Sequence, residues 1–173
     1  MTNRTVCIER EYGSNGKKIA EWLSKSTGIH CYGKNELLEA AEKYGLVQEN
    51  GEDAEENEFK TYCETIKFLA DKGSCIFVGT CASAVLQGRP RNFNVFIKAD
   101  MESKIFWAME SEKVERDKAE EIIAQMDDKR KETRKHFAIT ADGKPVEYDL
   151  VVTSSKFGIE GTAEIIKNCL SRI

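Results

Sequence analysis

Five short apolar runs divide this chain, and the stretches between them have helical rather than alternating periodicity. The runs are TVCIE (residues 5–9), IHCY (29–32), SCIFVG (74–79), FNVFIKA (93–99) and YDLVVTS (148–154). A strand, a helix and a second strand in that order build a right-handed crossover. The repeated alternation therefore predicts an α/β fold with a parallel sheet covered by helices. SCIFVG is apolar without interruption, the pattern of a strand buried on both faces.

The intervening helices read as residues 17–28, 34–45 and 58–73, with Gly28, Gly45 and Gly73 as stops. A short helix is expected at 80–88, and a closing amphipathic helix at 158–173. A long helical stretch runs from Met101 to about Phe137, with a break near Ser111–Val114. Trp22, Phe106 and Trp107 sit at core-like spacing on these helices and suggest no stacking platform. The segment QENGEDAEEN (48–57) is acidic and aperiodic, and reads as a solvated loop.

With 173 residues the chain suits one domain. A net charge of -4 gives no electrostatic reason to expect nucleic-acid binding. No apolar run approaches the roughly 20 residues of a membrane span, and the strand-like pattern from Thr5 leaves no room for a signal peptide. The six cysteines form no C-x-x-C pair, and no histidine stands at ligand spacing. They read as scattered thiols of a protein in a reducing cytoplasm.

The turn after the first strand reads EYGSNGKK (11–18). In a parallel sheet, ligands bind beyond the C-terminal ends of the strands, where this turn opens. Gly13 and Gly16 permit positive φ, and the amides of residues 14–17 at a helix N-terminus form a nest for anions. Lys17 is placed to reach phosphates. The full pattern G-x-x-x-x-G-K-[ST] is broken twice, by Glu11 at its first glycine and by Lys18 at its hydroxyl. On the residues alone, a phosphate cradle and a plain β-to-α turn both remain open.

A second feature lies at DDKRKETRKHF (127–137). Lys129, Arg130, Lys131, Arg134, Lys135 and His136 place six basic or potentially basic groups in eight positions. Arg130 and Arg134 share one helix face at i and i+4. They either clamp a transferring phosphate or belong to an ordinary solvated face. His30 and His136 have no serine or cysteine partner in sequence, which leaves a hydrolytic triad unsupported. Asp100 and Glu102 follow the fourth strand; a helix N-cap is the preferred role for Asp100 over water-mediated Mg²⁺ binding.

The stretches CIEREYGSNGKKIAEWL, HCYGKNELLEAAEKYGL, CIFVGTCASAVL, FNVFIKADMESKI, MDDKRKETRKHF and YDLVVTSSKFGIEGTAEII span most of the chain. Together they resemble the cytidylate kinase-like family, a branch of the nucleoside monophosphate kinases among P-loop NTPases. The resemblance implies a three-layer α/β/α P-loop fold over residues 1–173, with a five-stranded parallel sheet. It also implies an acceptor-binding helical region at 34–72 and a basic lid at 127–145. The implied reaction moves the γ-phosphoryl group of ATP, with Mg²⁺, to a nucleoside monophosphate such as CMP or dCMP. By position, Gly13, Ser14, Asn15, Gly16, Lys17 and Lys18 would cradle the donor phosphates, and Lys17, Arg130 and Arg134 would be catalytic. Thr80 falls at the acceptor-phosphate contact, where relatives commonly carry arginine, and Gly33 falls where they often carry aspartate. Residues that hold the metal are not identified. With Lys18 in place of the Mg²⁺-binding hydroxyl, the alternative is a catalytically impaired nucleotide-binding regulatory module.

Overall fold

The computed structural model describes residues 3–139 and 143–173. Strands β1 (Thr5–Arg10), β2 (His30–Tyr32), β3 (Cys75–Val78), β4 (Asn92–Lys98) and β5 (Leu150–Thr153) form one sheet, ordered β2-β3-β1-β4-β5. All pairings are parallel, so β1 runs through the centre, with Ile8 in register with Val78 on one side and Val95 on the other. The helices are α1 (Gly16–Thr27), α2 (Lys34–Tyr44), α3 (Ala54–Lys72), α4 (Ala82–Val85), α5 (Met101–Glu112), α6 (Arg116–Phe137) and α7 (Ser154–Leu170).

Alternation along β1 divides the core. Val6 and Ile8 pack on one face with Ile19 and Leu23 of α1 and Ile166 of α7. Cys7 packs on the other face with Phe77, Leu37 of α2 and Ile66 of α3. Each fully buried Leu or Ile contributes roughly 1.5–3 kcal/mol of transfer free energy, which holds the three layers together. A third cluster of Tyr12, Ile105, Ala108, Ala119 and Ile123 joins α5 and α6 to the segment just after β1. The expected three-layer arrangement is present, and all six cysteines are free.

Several elements differ from the sequence expectation. Helix α3 begins at Ala54, inside the acidic stretch read as loop. The Asp53 carboxylate accepts the Glu56 amide at 2.8 Å, and Glu55 and Glu56 lie in the first turn. Carboxylates there satisfy orphan amides and oppose the helix dipole, so the acidity marks a helix start. Phe106 is not a core residue; it is 69% exposed, because α5 buries Ile105 and Ala108 on its opposite side. Helix α7 begins at once after β5 and is broken at Gly158 (φ 71, ψ 179), where a fresh helix was expected. The break before α6 falls near its expected place, with Lys113 left-handed at φ 56. Of the proposed lid, residues 140–142 lie outside the described residues; Ile139 and Pro145 on either side pair in an antiparallel bridge. No helix among the described residues is long and apolar enough to cross a membrane.

Candidate functional site

The C-terminal ends of β1 and β3 and the N-terminus of α1 converge on one point. Gly13 turns the chain with φ 76 and lies so close to Lys104 that a Cβ would stand 3.2 Å from the Lys104 Cα. The second positive φ expected at Gly16 falls instead on Asn15 (φ 61), the N-cap of α1. The Ile19 amide donates to the Asn15 carbonyl at 3.0 Å and starts the helix. The amides of Asn15, Gly16, Lys17 and Lys18 donate to no acceptor among the described residues. Four orphan donors at the positive end of a helix form an anion site.

The loop carrying these amides is fixed from three sides. The Ser14 hydroxyl donates to the Glu11 carbonyl at 2.8 Å, and the Ser154 hydroxyl donates to the Ser14 carbonyl at 2.6 Å. The Glu11 carboxylate accepts the Ala99 amide at 3.1 Å and faces the Lys104 ammonium at 3.5 Å. The Asp127 carboxylate accepts the Tyr12 amide at 2.7 Å and pairs with Lys104, which is buried. Glu11, which breaks the P-loop pattern, is thus a strut between β4, α5 and the loop. Ser14 is likewise committed to the loop's own geometry.

Two cavities open on either side of this loop. The first, of about 600 Å³, has Lys17 in its wall, with α2 and α3 on one side and α6 on the other. Phe59 of α3 and Phe137 of α6 stack across it, with ring centroids 4.2 Å apart. Tyr62, Arg10, Lys129 and Thr80 complete the lining that matters chemically. The second cavity, of about 1040 Å³, has Asn15 and Lys18 in its wall, beside Phe106, Trp107 and Ser154. Lys17 and Lys18 are neighbours in sequence but face different chambers.

Arg130 and Arg134 sit on the face of α6 turned toward the end of β1. Arg130 donates from Nη1 to the Arg10 carbonyl at 3.2 Å and lies over the Tyr12 ring, and Arg134 lies over the Phe96 ring. The neighbouring face of the same helix presents Lys129, Thr133 and Phe137 to the first cavity. Beneath the arginines is Glu9, 4% exposed, whose Oε1 has no hydrogen-bond partner among the described residues. Burial raises the pKa of Glu9, while Arg10, Arg134 and Arg130 pull it down. Burial and the nearby Arg10 together lower Arg130 to about 10. Three guanidiniums bearing on one carboxylate leave this end of the sheet short of negative charge.

Thr80 is left-handed (φ 61), between Gly79 and Cys81, which are left-handed too. Its hydroxyl donates to the Gly79 carbonyl. Burial pushes the Cys31 thiol up to about 11 and Cys81 to about 12, so neither is a thiolate nucleophile near neutrality. No group of three metal-binding side chains occurs among the described residues. The orphan amides, with Lys17 and Lys18 beside them, suit the charge of a polyphosphate. Mg²⁺ usually rides on substrate phosphates with water and one or two carboxylates, so a dedicated protein cage is not required.

Of the residues singled out in sequence, Asn15, Lys17, Lys18, Thr80 and Lys129 line the two cavities, whereas Gly13, Ser14 and Gly16 shape the loop between them. Arg10, Glu9 and Tyr62 were not singled out. Glu9 ends a strand-like run and Arg10 follows it in the first stretch that carries the resemblance, yet neither was given a role; the pairing of β1 with β3 brings them to the cleft.

The model of the cytidylate kinase-like family matches residues 5–61 and 47–156. No curated protein matches the sequence. Among solved structures, an uncharacterized protein from Eubacterium ventriosum is 24% identical with a TM-score of 0.83, covering 99% of this chain and 100% of its own. Shikimate kinase from Aquifex aeolicus is 18% identical with a TM-score of 0.52, covering 97% and 96%. The APS kinase of Mycobacterium tuberculosis, solved with AMPPNP and APS, is 15% identical with a TM-score of 0.53, covering 98% of each chain. At these identities the neighbours establish the fold.

Proposed function

The chain belongs to the cytidylate kinase-like family, and on that footing we propose that it transfers the γ-phosphoryl group of ATP to a nucleoside monophosphate such as CMP or dCMP. The observation that carries this reading is the row of four orphan amides, Asn15–Lys18, set between two cavities. Donor phosphates lie on the amides, with the donor nucleoside in the second cavity near the exposed Phe106. The acceptor occupies the first cavity, under the Phe59–Phe137 pair, with residues 34–72 as its helical wall and α6 as the described part of the lid. Lys17 stands at the join, where charge moves from one substrate to the other. Arg130 and Arg134 add positive potential behind it. Such transfer needs positioning and electrostatic stabilisation rather than covalent catalysis. Mg²⁺ arriving with the donor would supply further charge neutralisation beside Lys17 and Lys18. The scattered free thiols fit a reducing cytoplasm.

A second reading, a nucleotide-binding regulatory module, is favoured by the neutral Thr80 and by Lys18 at the hydroxyl position. A coupled assay with ATP, Mg²⁺ and a panel of nucleoside monophosphates separates the two. ADP production that depends on one acceptor, and that falls at least about 100-fold in Lys17→Ala, supports the kinase. ATP binding with no acceptor-dependent turnover assigns the regulatory role instead.

A further inference from the structure

Arg10 ends β1, and two glycines from separate elements make room for its side chain. A Cβ on Gly16 would stand 2.6 Å from the Arg10 Cγ, and one on Gly79 would stand 2.8 Å from its Nη1. The side chain passes the first turn of α1 and the loop after β3, and ends in the wall of the first cavity. Its guanidinium donates to no acceptor among the described residues; only its backbone carbonyl is engaged, by Arg130.

A mostly buried guanidinium with all five donors open is costly unless a ligand takes them. Its one opposing charge is Glu9, which also faces Arg130 and Arg134. The other cations of the cavity wall, Lys17, Lys34 and Lys129, are exposed point charges on flexible stems, and Lys34 is already paired with Glu58. Thr80, expected at the acceptor-phosphate contact, is neutral and donates to the Gly79 carbonyl. Arg10 is the one planar fork in that wall, fixed by its packing against Gly16 and Gly79.

We propose that Arg10 binds the phosphate monoester of the acceptor, with its fork engaging two phosphate oxygens at the floor of the first cavity. This rests on the phosphotransferase reading and assigns one residue of its acceptor site. Paired N–H donors in fixed geometry match two oxygens of a phosphate, which a lysine cannot reproduce. The two glycines are then part of the acceptor site, because a methyl group on either displaces the fork.

The test is calorimetric titration of the full chain, wild type against Arg10→Gln, Arg10→Lys and Gly79→Ala. The probes are a non-hydrolysable ATP analogue, the four ribonucleoside 5′-monophosphates, the matching nucleosides and inorganic phosphate. Arg10→Gln should weaken the best monophosphate by about 100-fold and leave the ATP analogue and the nucleoside within about threefold. Arg10→Lys, which keeps charge and stem, should fall between, weaker than wild type by about tenfold. It decides the matter if the glutamine variant does not fold. Wild-type-like monophosphate binding in the Arg10 variants, or an equal loss of the ATP analogue, overturns the assignment. Wild-type protein that binds the ATP analogue but neither monophosphate nor inorganic phosphate also overturns it, and favours the regulatory module. Wild-type protein that binds no nucleotide at all overturns the phosphotransferase reading itself. Phosphate binding that is strong alone and equally sensitive to Arg10 supports the same contact with a smaller ligand.

Discussion

Asp100 shows how a single side chain in this protein joins local structure to solution behaviour. Its carboxylate accepts the Ser103 amide at 2.9 Å as the N-cap of α5, and hydroxyls of Ser155 and Ser103 approach it as well. These bonds, led by that of Ser155, hold its pKa down at about 2. A depressed carboxylate stabilises the fold above its unfolded pKa, near 3.9, and loses that contribution as pH falls toward 2. Replacing Asp100 by Asn should therefore flatten stability against pH between about 4 and 2, seen in urea midpoints across that window. An unchanged acid limb would mean the cap is not formed in solution. The N-cap role was legible in sequence from an acidic residue just after a strand and before a helical period. The role of Arg10 was not, because it depends on Gly16 and Gly79, far apart in sequence and brought to one side chain by the pairing of β1 with β3.

At the scale of elements, the chain's local patterns were strong guides and its charges were weaker ones. The apolar runs located all five strands, since period and β-branching report burial directly. The order β2-β3-β1-β4-β5 was not readable, because nothing within a strand names its neighbours. The start of α3 was misread because capping acids and loop acids look alike until the helix dipole is counted. The tie between α5, α6 and the loop after β1 was likewise invisible, though it is built from Lys104, Asp127 and Glu11. The side chain of Lys104 is 5% exposed and that of Asp127 15%, so this pair is buried, unlike Lys34–Glu58 with 59% and 40%. Removing one member of a buried pair leaves an uncompensated charge, whereas exposed pairs contribute little. Lys104→Met should cost about 3 kcal/mol in chemical denaturation, and Lys34→Met less than about 1 kcal/mol. Equal losses from the two variants would show that α6 is not docked through this pair.

Across the whole molecule, the cleft is where the sheet order and the two helical walls meet. The parallel arrangement sends the β1–α1 loop, the loop after β3 and the start of α7 to one edge. The α2–α3 wall and the α6 arm enclose the first chamber, α5 and the start of α7 line the second, and the loop lies between them. The P-loop-like pattern was incomplete in sequence, yet the structure gives its mismatches separate places. Glu11 braces the loop from behind, and Lys18 faces the second cavity. In the proposed function, the amides of Asn15, Gly16, Lys17 and Lys18 hold the phosphates of a nucleotide. The most direct measurement is of those four amide resonances in ¹⁵N-labelled protein during titration with a non-hydrolysable ATP analogue and Mg²⁺. All four should shift together and saturably, and Lys17→Ala should weaken the saturation. Saturable binding that leaves these four resonances in place, or no binding at all, would contradict it.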